Sequence, residues 1–472
     1  MQYNPVTKKI VAELAEIVGA KNVLIDPEKL EGYSHDETPI DQYAHLPEAV
    51  VFPGSAAEIA RIVKLANREL IPITPRGAGS GLSGGAIPVY GGIALSVEKM
   101  DRVLEIDDDN MMMVLEPGVI TNSVNEEIEE KGLFFAGYPM SVLTCYIGGN
   151  IAENAGGGKA VKYGVTGRYI MGLELVTPTG EIVELGGKLL KDVSGYDLKQ
   201  LIIGSEGTLG IITKAIIKLL PRPTEQVDLL VLFKDVKTAI KAVPRIMTDG
   251  RIIPTGIEFM DKLSVKTSCQ YLNEKLPYQQ AGAMLLIEVD GNKAEEVEAD
   301  AETIGELCME NGAIEVYIAD NHTTRERVWS VRRNIAEAFM VVSPHQSLED
   351  IVVPIAAIPD LMPEIERISD QYDLQIPCYG HAGDGNLHAT LVKNPAHTLE
   401  QWYQIEEKAL HELYLAVKKL GGTISGEHGI GYKRRPYLES TLDPVALDLM
   451  RKIKKAFDPN NIMNPGKIFE LE

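Results

Sequence analysis

The sequence predicts an α+β protein with more than one domain, and three observations support this fold class. A length of 472 residues suggests two to three domains with well-filled cores. Strand-like and helical periodicities alternate through 227–319, which is typical of β-α-β units. Three glycine-rich segments between 75 and 213 expose enough backbone to hold a large ligand.

Composition and charge exclude several kinds of function. The formal net charge of -22 argues against nucleic-acid and anionic membrane partners. No apolar run reaches the roughly 18 residues of a membrane span, and the segment MQYNPVTKK lacks the apolar core of a signal peptide, so we expect a cytoplasmic protein. The four cysteines form no CxxC pair, so the sequence indicates neither an iron–sulfur cluster nor a zinc ribbon. Any redox centre must then be a bound organic cofactor.

The N-terminal part begins with helices and then becomes strand-rich. Apolar spacing predicts a helix over 6–18, and Ser55 with Glu58 forms a capping-box pattern for a helix that ends at about Leu70. The remaining elements that the pattern predicts here are strands at 71–74, 93–97, 103–106 and 111–116 and a helix at 121–131.

The most glycine-dense segment, PRGAGSGLSGG at 75–85, follows the strand at 71–74. Its GxGxxG match does not indicate a Rossmann fold, because a strand-like segment follows it rather than a helix. Backbone N–H groups of such a loop can still cradle a pyrophosphate.

Two further glycine-rich segments follow, at 146–158 and 204–213. Small residues in the first would let a flat ring system lie against the backbone, and Asn150 and Asn154 could bond its polar edge.

The pattern of strand-like and helical segments in the second half of the chain predicts two β-α-β units. Strands at 227–233 and 252–259 flank a helix at 236–247, and strands at 283–289 and 313–319 flank a helix at 293–311. Two such units predict a ferredoxin-like layer, with helices on one face of an antiparallel sheet. A long amphipathic helix is predicted at 399–419.

Glycines also frame two histidine-containing segments, GHAGDGNLH at 380–388 and SGEHG at 425–429. Helix and regular strand both suit His381 and His388 poorly, because Gly383 and Gly385 interrupt either one. We therefore expect a tight loop that turns both rings inward.

Neutral imidazole and carboxylate are ligands that Zn, Fe and Mn accept. Three side chains are thus candidate ligands of a divalent metal with open positions for water or substrate: His381, His388 and Glu427. His428 would remain as a base. The alternative is that these histidines cap loops or satisfy hydrogen bonds in the core.

The glycine-rich motifs PRGAGSGLSGGA, IGGNIAENAGG with KYGVTG, and SEGTLGIIT resemble the flavin-binding domain of the vanillyl-alcohol oxidase family, also called the p-cresol methylhydroxylase type. GHAGDGNLH and SGEHGIG are similar to the branch that contains the D-type subunit of glycolate oxidase and the D-lactate and D-2-hydroxyglutarate dehydrogenases. The resemblance covers nearly the whole chain. It implies a two-subdomain FAD-binding fold of the p-cresol methylhydroxylase type plus a ferredoxin-like α+β cap domain.

The resemblance also implies where the domains and the cofactor lie. Residues 1–222 would bind FAD, 223–420 would form the cap or substrate domain, and 421–472 would return to the FAD domain. Of the implied FAD-binding residues, the first eight would hold the pyrophosphate, the next six would line the ring and its chain, and the last would contact the ring. They are Arg76, Gly77, Ala78, Gly79, Ser80, Gly81, Leu82, Ser83, Pro139, Gly148, Gly149, Asn154, Gly157, Ile211 and Asn464.

Some relatives attach FAD covalently through a histidine or cysteine near these loops. The segment 75–85 contains neither, and Cys145 is the one nearby candidate. We therefore expect non-covalent FAD.

A predicted helix at 323–339 carries four arginines, Arg325, Arg327, Arg332 and Arg333. The planar fork of arginine suits a substrate carboxylate. Arg332, in WSVR, matches the family's carboxylate-binding arginine, whereas Arg325 and Arg327 fit a solvated helix face that pairs with glutamates of the same helix.

The resemblance implies oxidation of D-lactate to pyruvate, with hydride transfer to FAD N5 and electrons passed to a separate protein acceptor such as an electron-transferring flavoprotein. Relatives that use 2-hydroxyglutarate have a threonine and a lysine for the distal carboxylate, where Ala336 and Leu348 stand here. The alternatives are a glycolate or D-2-hydroxyglutarate dehydrogenase or oxidase, a non-catalytic flavin subunit of a larger complex, and a flavin-free metal hydrolase.

Overall fold

The chain alternates between two packing units rather than filling them in sequence order. The computed structural model describes residues 2–319 and 321–471. Unit 1 comprises the described residues of Met1–Gly157, Val165–Arg222 and Glu427–Glu472, and unit 2 comprises those of Gly158–Gly164 and Pro223–Gly426. Secondary-structure elements are numbered in chain order across both units.

Unit 1 contains two main sheets. Its strands are β1 (Val23–Leu24), β2 (Ala49–Val51), β3 (Ile73–Arg76), β4 (Ile93–Ser96), β5 (Val103–Asp107), β6 (Met112–Leu115), β7 (Leu133–Phe134), β8 (Ile170–Val176), β9 (Ile182–Gly186), β10 (Ile211–Lys218) and β11 (Leu220–Pro221). Its helices are α1 (Lys8–Val18), α2 (Pro27–Leu30), α3 (Ile40–Tyr43), α4 (Ala56–Glu69), α5 (Thr121–Ile128), α6 (Ile147–Glu153), α8 (Leu198–Ile202), α16 (Arg435–Thr441) and α17 (Pro444–Phe457).

The first sheet has the order β1-β2-β4-β3, with β4 parallel to both of its neighbours. Helices α1 and α4 bury their apolar faces in one core with these strands. The predicted strand at 71–74 begins two residues late, because the Ile71 amide donates to Ala66 O (2.9 Å) and so closes α4. The glycine-rich loop after β3 leads to β4, as predicted, and not to a helix.

The second sheet of unit 1 is antiparallel, in the order β5-β6-β10-β8-β9. Helix α6, which the sequence analysis did not predict, contains Gly148 and Gly149. A Cβ atom at Gly148 would lie 2.5 Å from Pro117 Cβ, so only glycine allows this close approach. Tertiary packing therefore forms a helix where glycine propensity opposes one.

The C-terminal segment completes the first sheet. Met463 bridges Ile73 in parallel orientation, beside β3. The buried ammonium group of Lys454 holds the segment by donating to Asp458 Oδ2 (2.6 Å) and to the carbonyls of Met463 (2.6 Å) and Thr208 (2.9 Å).

Unit 2 is built on a single sheet. Its strands are β12 (Glu225–Phe233), β13 (Gly256–Asp261), β14 (Ala283–Gly291), β15 (Ala313–Ala319), β16 (Gln346–Val352), β17 (Cys378–His381) and β18 (Asn386–Val392). Its helices are α7 (Ala160–Tyr163), α9 (Val236–Thr248), α10 (Lys262–Leu272), α11 (Ala294–Glu310), α12 (His322–Arg333), α13 (Ile335–Val342), α14 (Ile358–Tyr372) and α15 (Leu399–Lys419).

The strand order of this sheet is β15-β12-β14-β13-β17-β18-β16, and every pair is antiparallel. The first four strands have the predicted ferredoxin-like order. Leu230 and Leu232 pack against α10, α12 and α13, while Leu229 points towards α11, so helices cover both faces and not one as expected.

The helix predicted at 323–339 is wrong as one element, because it divides into α12 and α13. The break is at Asn334, whose side-chain amide donates to Ser330 O (2.8 Å) and so competes with the helical backbone ladder. The long helix α15 has the predicted bounds, Leu399–Lys419. Within residues 2–319 and 321–471, no helix combines the length and apolar character needed to cross a lipid bilayer.

Candidate functional site

The two histidines of the GHAGDGNLH motif lie on neighbouring strands and not in a loop, so the expected loop placement was wrong. His381 ends β17 and His388 lies within β18, and the turn between the strands contains Gly383 and Gly385. Gly385 has φ +86°, which accounts for a glycine at that turn position. The glycines therefore form the turn of a hairpin, and its strands carry the rings.

Antiparallel register places the candidate side chains on one face of the sheet. Glu258 is directly opposite His381, and His388 is directly opposite Tyr379 on one side and Asp350 on the other. Opposite residues share a face, as do alternate residues along a strand. The rings of His381 and His388 are buried (3% and 6% exposed), with centroids 5.5 Å apart.

Glu258 links the histidine to the arginine that the resemblance singled out. One carboxylate oxygen, Oε1, lies 2.5 Å from His381 Nδ1, and the other, Oε2, accepts from Arg332 Nε at 2.7 Å. Burial acts to raise the pKa of Glu258, but the attraction of Arg332, followed by that of His381, outweighs burial and lowers the pKa. Glu258 is therefore ionised.

Glu258 was not among the residues predicted from the sequence, although a signal for it was present. This glutamate stands between two apolar residues, Ile257 and Phe259, within a predicted strand. An acidic residue in a fully buried strand must have a partner.

Arg332 is the buried member of the arginine-rich helix. Its guanidinium is 4% exposed and lies over the Tyr379 ring, 5.1 Å from the centroid. Nη2 lies 2.7 Å from Glu258 Oε2 but makes no well-aligned hydrogen bond within the described residues. The group therefore keeps donor capacity for an anion.

The other arginines lie elsewhere. Arg327 pairs with Glu274 (2.8 Å), and Arg325 donates to the Gln226 carbonyl (3.1 Å). The expected pairs with glutamates of the same helix are therefore wrong for Arg325 and Arg327, because α12 packs against other parts of unit 2 that offer better acceptors.

Asp350 is a second carboxylate that the sequence analysis missed. It is fully buried opposite His388 and accepts from Asn386 Nδ2 (2.6 Å), Ser425 Oγ (2.8 Å) and the Gly426 amide (2.9 Å). The first part of the SGEHG motif is thereby tied to the histidine-bearing sheet.

Glu427 and His428 follow Gly426 in the chain and are grouped with unit 1. His428 Nε2 lies 3.4 Å from Glu427 Oε1. A Cβ atom at Gly156 would lie 3.3 Å from Glu427 Cβ, so Glu427 contacts the second glycine-rich segment. The predicted catalytic and metal residues are thus divided between the units, with Arg332 and both histidines of the hairpin in unit 2.

Two of the predicted FAD-binding segments are adjacent in unit 1. A Cβ atom at Gly77 would lie 3.7 Å from Gly149 Cα, so the loop after β3 meets the start of α6. The Arg76 guanidinium donates to the carbonyls of His35 (2.7 Å) and Gly32 (3.2 Å). The rest of the predicted pyrophosphate loop follows β3 directly: Gly77, Ala78, Gly79, Ser80, Gly81, Leu82 and Ser83.

Pro139 and Gly157 are also neighbours, since a Cβ atom at Gly157 would lie 3.2 Å from Pro139 Cα. Ile211 begins β10 and is buried in the core of the first sheet. Cys145 is buried, and its thiol lies 3.4 Å from Thr121 Oγ1.

The two predicted asparagines hold backbone segments in place. Asn154 ends α6 in the left-handed conformation, and its Oδ1 accepts from the Gly167 amide (2.8 Å). Asn464 Nδ2 donates to the carbonyls of Gly85 (3.0 Å) and Glu206 (2.7 Å). Asn464 therefore joins the glycine-rich loop, the SEGTLG segment and the C-terminal segment.

These segments fit a cofactor that binds through backbone and small side chains. Ser83 Oγ and Asn464 Oδ1 are buried and have no hydrogen-bond partner among the described residues. Buried polar atoms are rarely left without partners, so both indicate a polar ligand or water at this loop. Glycines at 77 and 149 leave room for it.

Several ionisable side chains lie next to the glycine-rich loop at 75–85. Glu206 accepts from the amides of Ile430 and Gly431, both at 2.7 Å. Burial, followed by the neighbouring Glu206, raises the pKa of Glu153 well above its ordinary value, and burial lowers the pKa of Lys467 to about 7. This group connects α6, the SEGTLG segment and the C-terminal segment.

Two family models match the chain. One, described as "FAD binding domain", matches residues 47–186, and the other, "FAD linked oxidases, C-terminal domain", matches residues 222–468. Both agree with the FAD expected from the glycine-rich motifs.

Similar proteins cover nearly the whole chain. It is 41% identical to glycolate oxidase subunit GlcD of Bacillus subtilis (98% of this chain, 97% of that protein) and 38% identical to D-lactate dehydrogenase of Anaerostipes hadrus (99% and 98%). The solved structure of p-cresol methylhydroxylase with substrate bound matches with a TM-score of 0.81 over 98% of this chain and 96% of that chain, at 19% identity. This last likeness concerns the fold alone, and it confirms the predicted fold class.

Proposed function

We propose that this chain, which belongs to the family of FAD-linked 2-hydroxy acid dehydrogenases and oxidases, oxidises D-lactate to pyruvate. One observation carries the proposal: the buried Arg332 guanidinium and the His381 imidazole contact the same carboxylate, Glu258, and His381 shares its sheet face with His388. A guanidinium with N–H groups left to donate fits the carboxylate of a 2-hydroxy acid. Neighbouring imidazoles fit a metal beside its hydroxyl.

Each of the chain's own groups then has a role. Arg332 binds the substrate carboxylate and sets the direction of Cα. His428 accepts the hydroxyl proton as Cα loses a hydride. FAD, bound without a covalent link by the residues of unit 1 named above, would supply the hydride acceptor at N5.

The metal ligands we propose are His381, His388 and Glu427. When bound, a divalent metal such as Zn, Fe or Mn would supply a Lewis acid for the hydroxyl. The donor set supports this, since Asp350 lies opposite His388 and its carboxylate accepts from Gly426, the residue directly before Glu427.

A small substrate is supported by the residues around the histidines. Leu348 lies on the same face as Asp350 and His388, directly opposite Thr390. A leucine offers a second, distal carboxylate no hydrogen bond or charge, and burying an unpaired carboxylate is costly. Glycolate is the second candidate substrate, because the similarity to a glycolate oxidase subunit is as extensive as that to a D-lactate dehydrogenase.

We further propose that residues 1–222 and 421–472 serve FAD binding, that 223–420 serve substrate binding, and that a separate protein such as an electron-transferring flavoprotein takes the electrons. The sequence has four scattered cysteines and no CxxC pair, which supports transfer out of the chain. Rapid reoxidation of the reduced protein by air would instead indicate an oxygen-using oxidase.

The test is an anaerobic titration of the metal-replete protein with D-lactate, L-lactate, glycolate and D-2-hydroxyglutarate. We expect D-lactate to bleach the flavin absorbance. A yellow protein that none of the four acids reduces would contradict the reaction. A protein that stays colourless after incubation with FAD would contradict the cofactor.

The role of His428 is tested in the same experiment. We expect His428→Ala to bind FAD and metal but to lose reduction by D-lactate. His411→Ala, on the exposed side of α15, is the matched control and should react like the wild type. Reduction of H428A at the wild-type rate would remove His428 from the mechanism.

A further inference from the structure

A single carboxylate contacts both parts of the proposed substrate site. Glu258 Oε1 lies 2.5 Å from His381 Nδ1, whereas Oε2 accepts from Arg332 Nε and lies 2.7 Å from Arg332 Nη2. The two oxygens thus serve different partners. The glutamate side chain is fully buried, and both partners are at most 4% exposed, so water does not compete for these contacts.

The backbone around Glu258 restricts the position of its carboxylate. The residue lies in β13 between β14 and β17, opposite Leu286 and His381. Gly158, next to α7, closes a further side, since a Cβ atom there would lie 2.8 Å from Glu258 Oε1 and 3.6 Å from His381 Nδ1. The carboxylate therefore has little room to move.

Hydrogen-bond chemistry defines what this contact does to the imidazole. A carboxylate that is paired with the Arg332 guanidinium at 2.7 Å acts as an acceptor, so the nitrogen of His381 that faces it, Nδ1, carries the ring proton. In the neutral ring, Nε2 is then the nitrogen with a lone pair for a metal. In many metal sites a carboxylate that is not itself a ligand accepts a hydrogen bond from the other ring nitrogen of a metal-bound histidine.

We propose that Glu258 is a positioning residue that sets the tautomer of His381 with one oxygen and the orientation of Arg332 with the other. This inference rests on the proposed function, because it assigns metal binding to His381 and carboxylate binding to Arg332. Metal binding and carboxylate binding would then both depend on this one side chain. Glu258 itself contacts neither substrate nor metal.

Glu258→Gln separates the two contacts. A glutamine amide has one acceptor oxygen, which the charged Arg332 is expected to take, and its NH₂ group then faces His381. The imidazole must accept at Nδ1, so its proton moves to Nε2 and blocks the ligand atom. We expect the affinity for Zn²⁺ to fall roughly 10- to 100-fold, which is the usual effect of removing a carboxylate that holds a metal-bound histidine.

Two readouts on the FAD-loaded protein test this without turnover. Zinc affinity is measured by atomic absorption after dialysis against buffered zinc. Carboxylate binding is measured from the flavin difference spectrum on titration with propionate, which lacks the hydroxyl. E258Q should lose zinc affinity and keep propionate binding, whereas Arg332→Met should keep zinc and lose propionate.

Gly158→Ala provides a second test that leaves all charges in place, and it decides the matter if E258Q does not fold. The added methyl group must displace the carboxylate from His381, so zinc affinity should fall here as well. Gly187→Ala, where a Cβ atom meets nothing within 4 Å, is the control.

Wild-type zinc affinity in E258Q and G158A would overturn the positioning role and leave the proposed function intact. If the wild-type protein bound neither zinc nor propionate, the proposed function itself would be overturned. The positioning role would fall with it, and Glu258 would then be a structural ion pair only.

Discussion

Glu153 in unit 1 and Glu258 in unit 2 are enclosed carboxyl groups with opposite protonation. Burial and the neighbouring Glu206 raise the pKa of Glu153 well above its ordinary value, so the group is neutral. Glu258 is the more deeply buried residue, yet Arg332 and His381 outweigh burial and keep it ionised. The comparison shows that the fixed partner of a buried carboxylate, rather than burial itself, decides its charge.

The two units use this difference in different ways. In unit 1 the segments proposed to bind FAD are joined by bonds between neutral groups, such as those of Asn464 to Gly85 and Glu206, and by the Glu206 carboxylate, which accepts from backbone amides. In unit 2 one carboxylate, Glu258, holds both the charged Arg332 guanidinium and the His381 imidazole. Unit 1 is thus suited to a large cofactor that lies against backbone, and unit 2 to a small anion.

The largest expected effect is a difference between two matched neutral variants. Glu258→Gln should lower the free energy of unfolding by about 3–5 kcal/mol, because it leaves Arg332 with a weakened partner in a buried site. Glu153→Gln replaces a group that is already neutral and should cost about 1 kcal/mol or less. Urea unfolding at neutral pH measures both, and equal losses would contradict the comparison.

A second prediction concerns Lys467, whose pKa burial lowers from 10.5 to about 7. Between about pH 7 and pH 10 the unfolded chain holds a proton at this lysine that the native state lacks. Raising the pH removes that advantage of the unfolded state, so native stability should rise. Relative to Lys467→Met, the wild type should gain about 1.4 kcal/mol per pH unit in this window.

Urea midpoints of both proteins over this pH range measure the effect. Lys408→Met, at an exposed position of α15, is the control and should show no such slope against the wild type. A pH-independent difference between wild type and K467M would show that Lys467 is charged in the native protein.

The smallest expected effect concerns backbone conformation in unit 1. Asn154 has φ +52° and accepts the Gly167 amide. Asn154→Ala should cost about 1–3 kcal/mol, since it loses that bond and strains the left-handed backbone. Asn154→Gly loses only the bond and should cost less. Thermal unfolding compares the two variants, and equal costs would show that conformation contributes nothing.

Much of the fold could be predicted from local sequence patterns. Apolar periodicity located α1, α4 and α15, and strand signals located β15 with its bounds at Ala313–Ala319. Helix α6 could not be predicted in this way, because its glycines are explained only by the approach of Pro117. The break at Asn334 depended on a side-chain bond that competes with the helix.

Local sequence alone determined that this protein has glycine-rich backbone loops, a ferredoxin-like set of β-α-β units and two glycine-framed histidine motifs. Residue type and spacing are sufficient for those features, because they act over a few neighbouring positions. Tertiary structure alone decided that Glu258, Arg332 and His381 meet, since strand register and a helix distant in sequence bring them together. It also decided that residues 158–164 pack with unit 2, through pairs such as Lys159 with Glu288 at 2.8 Å. Such contacts depend on packing between distant segments, which no local pattern records.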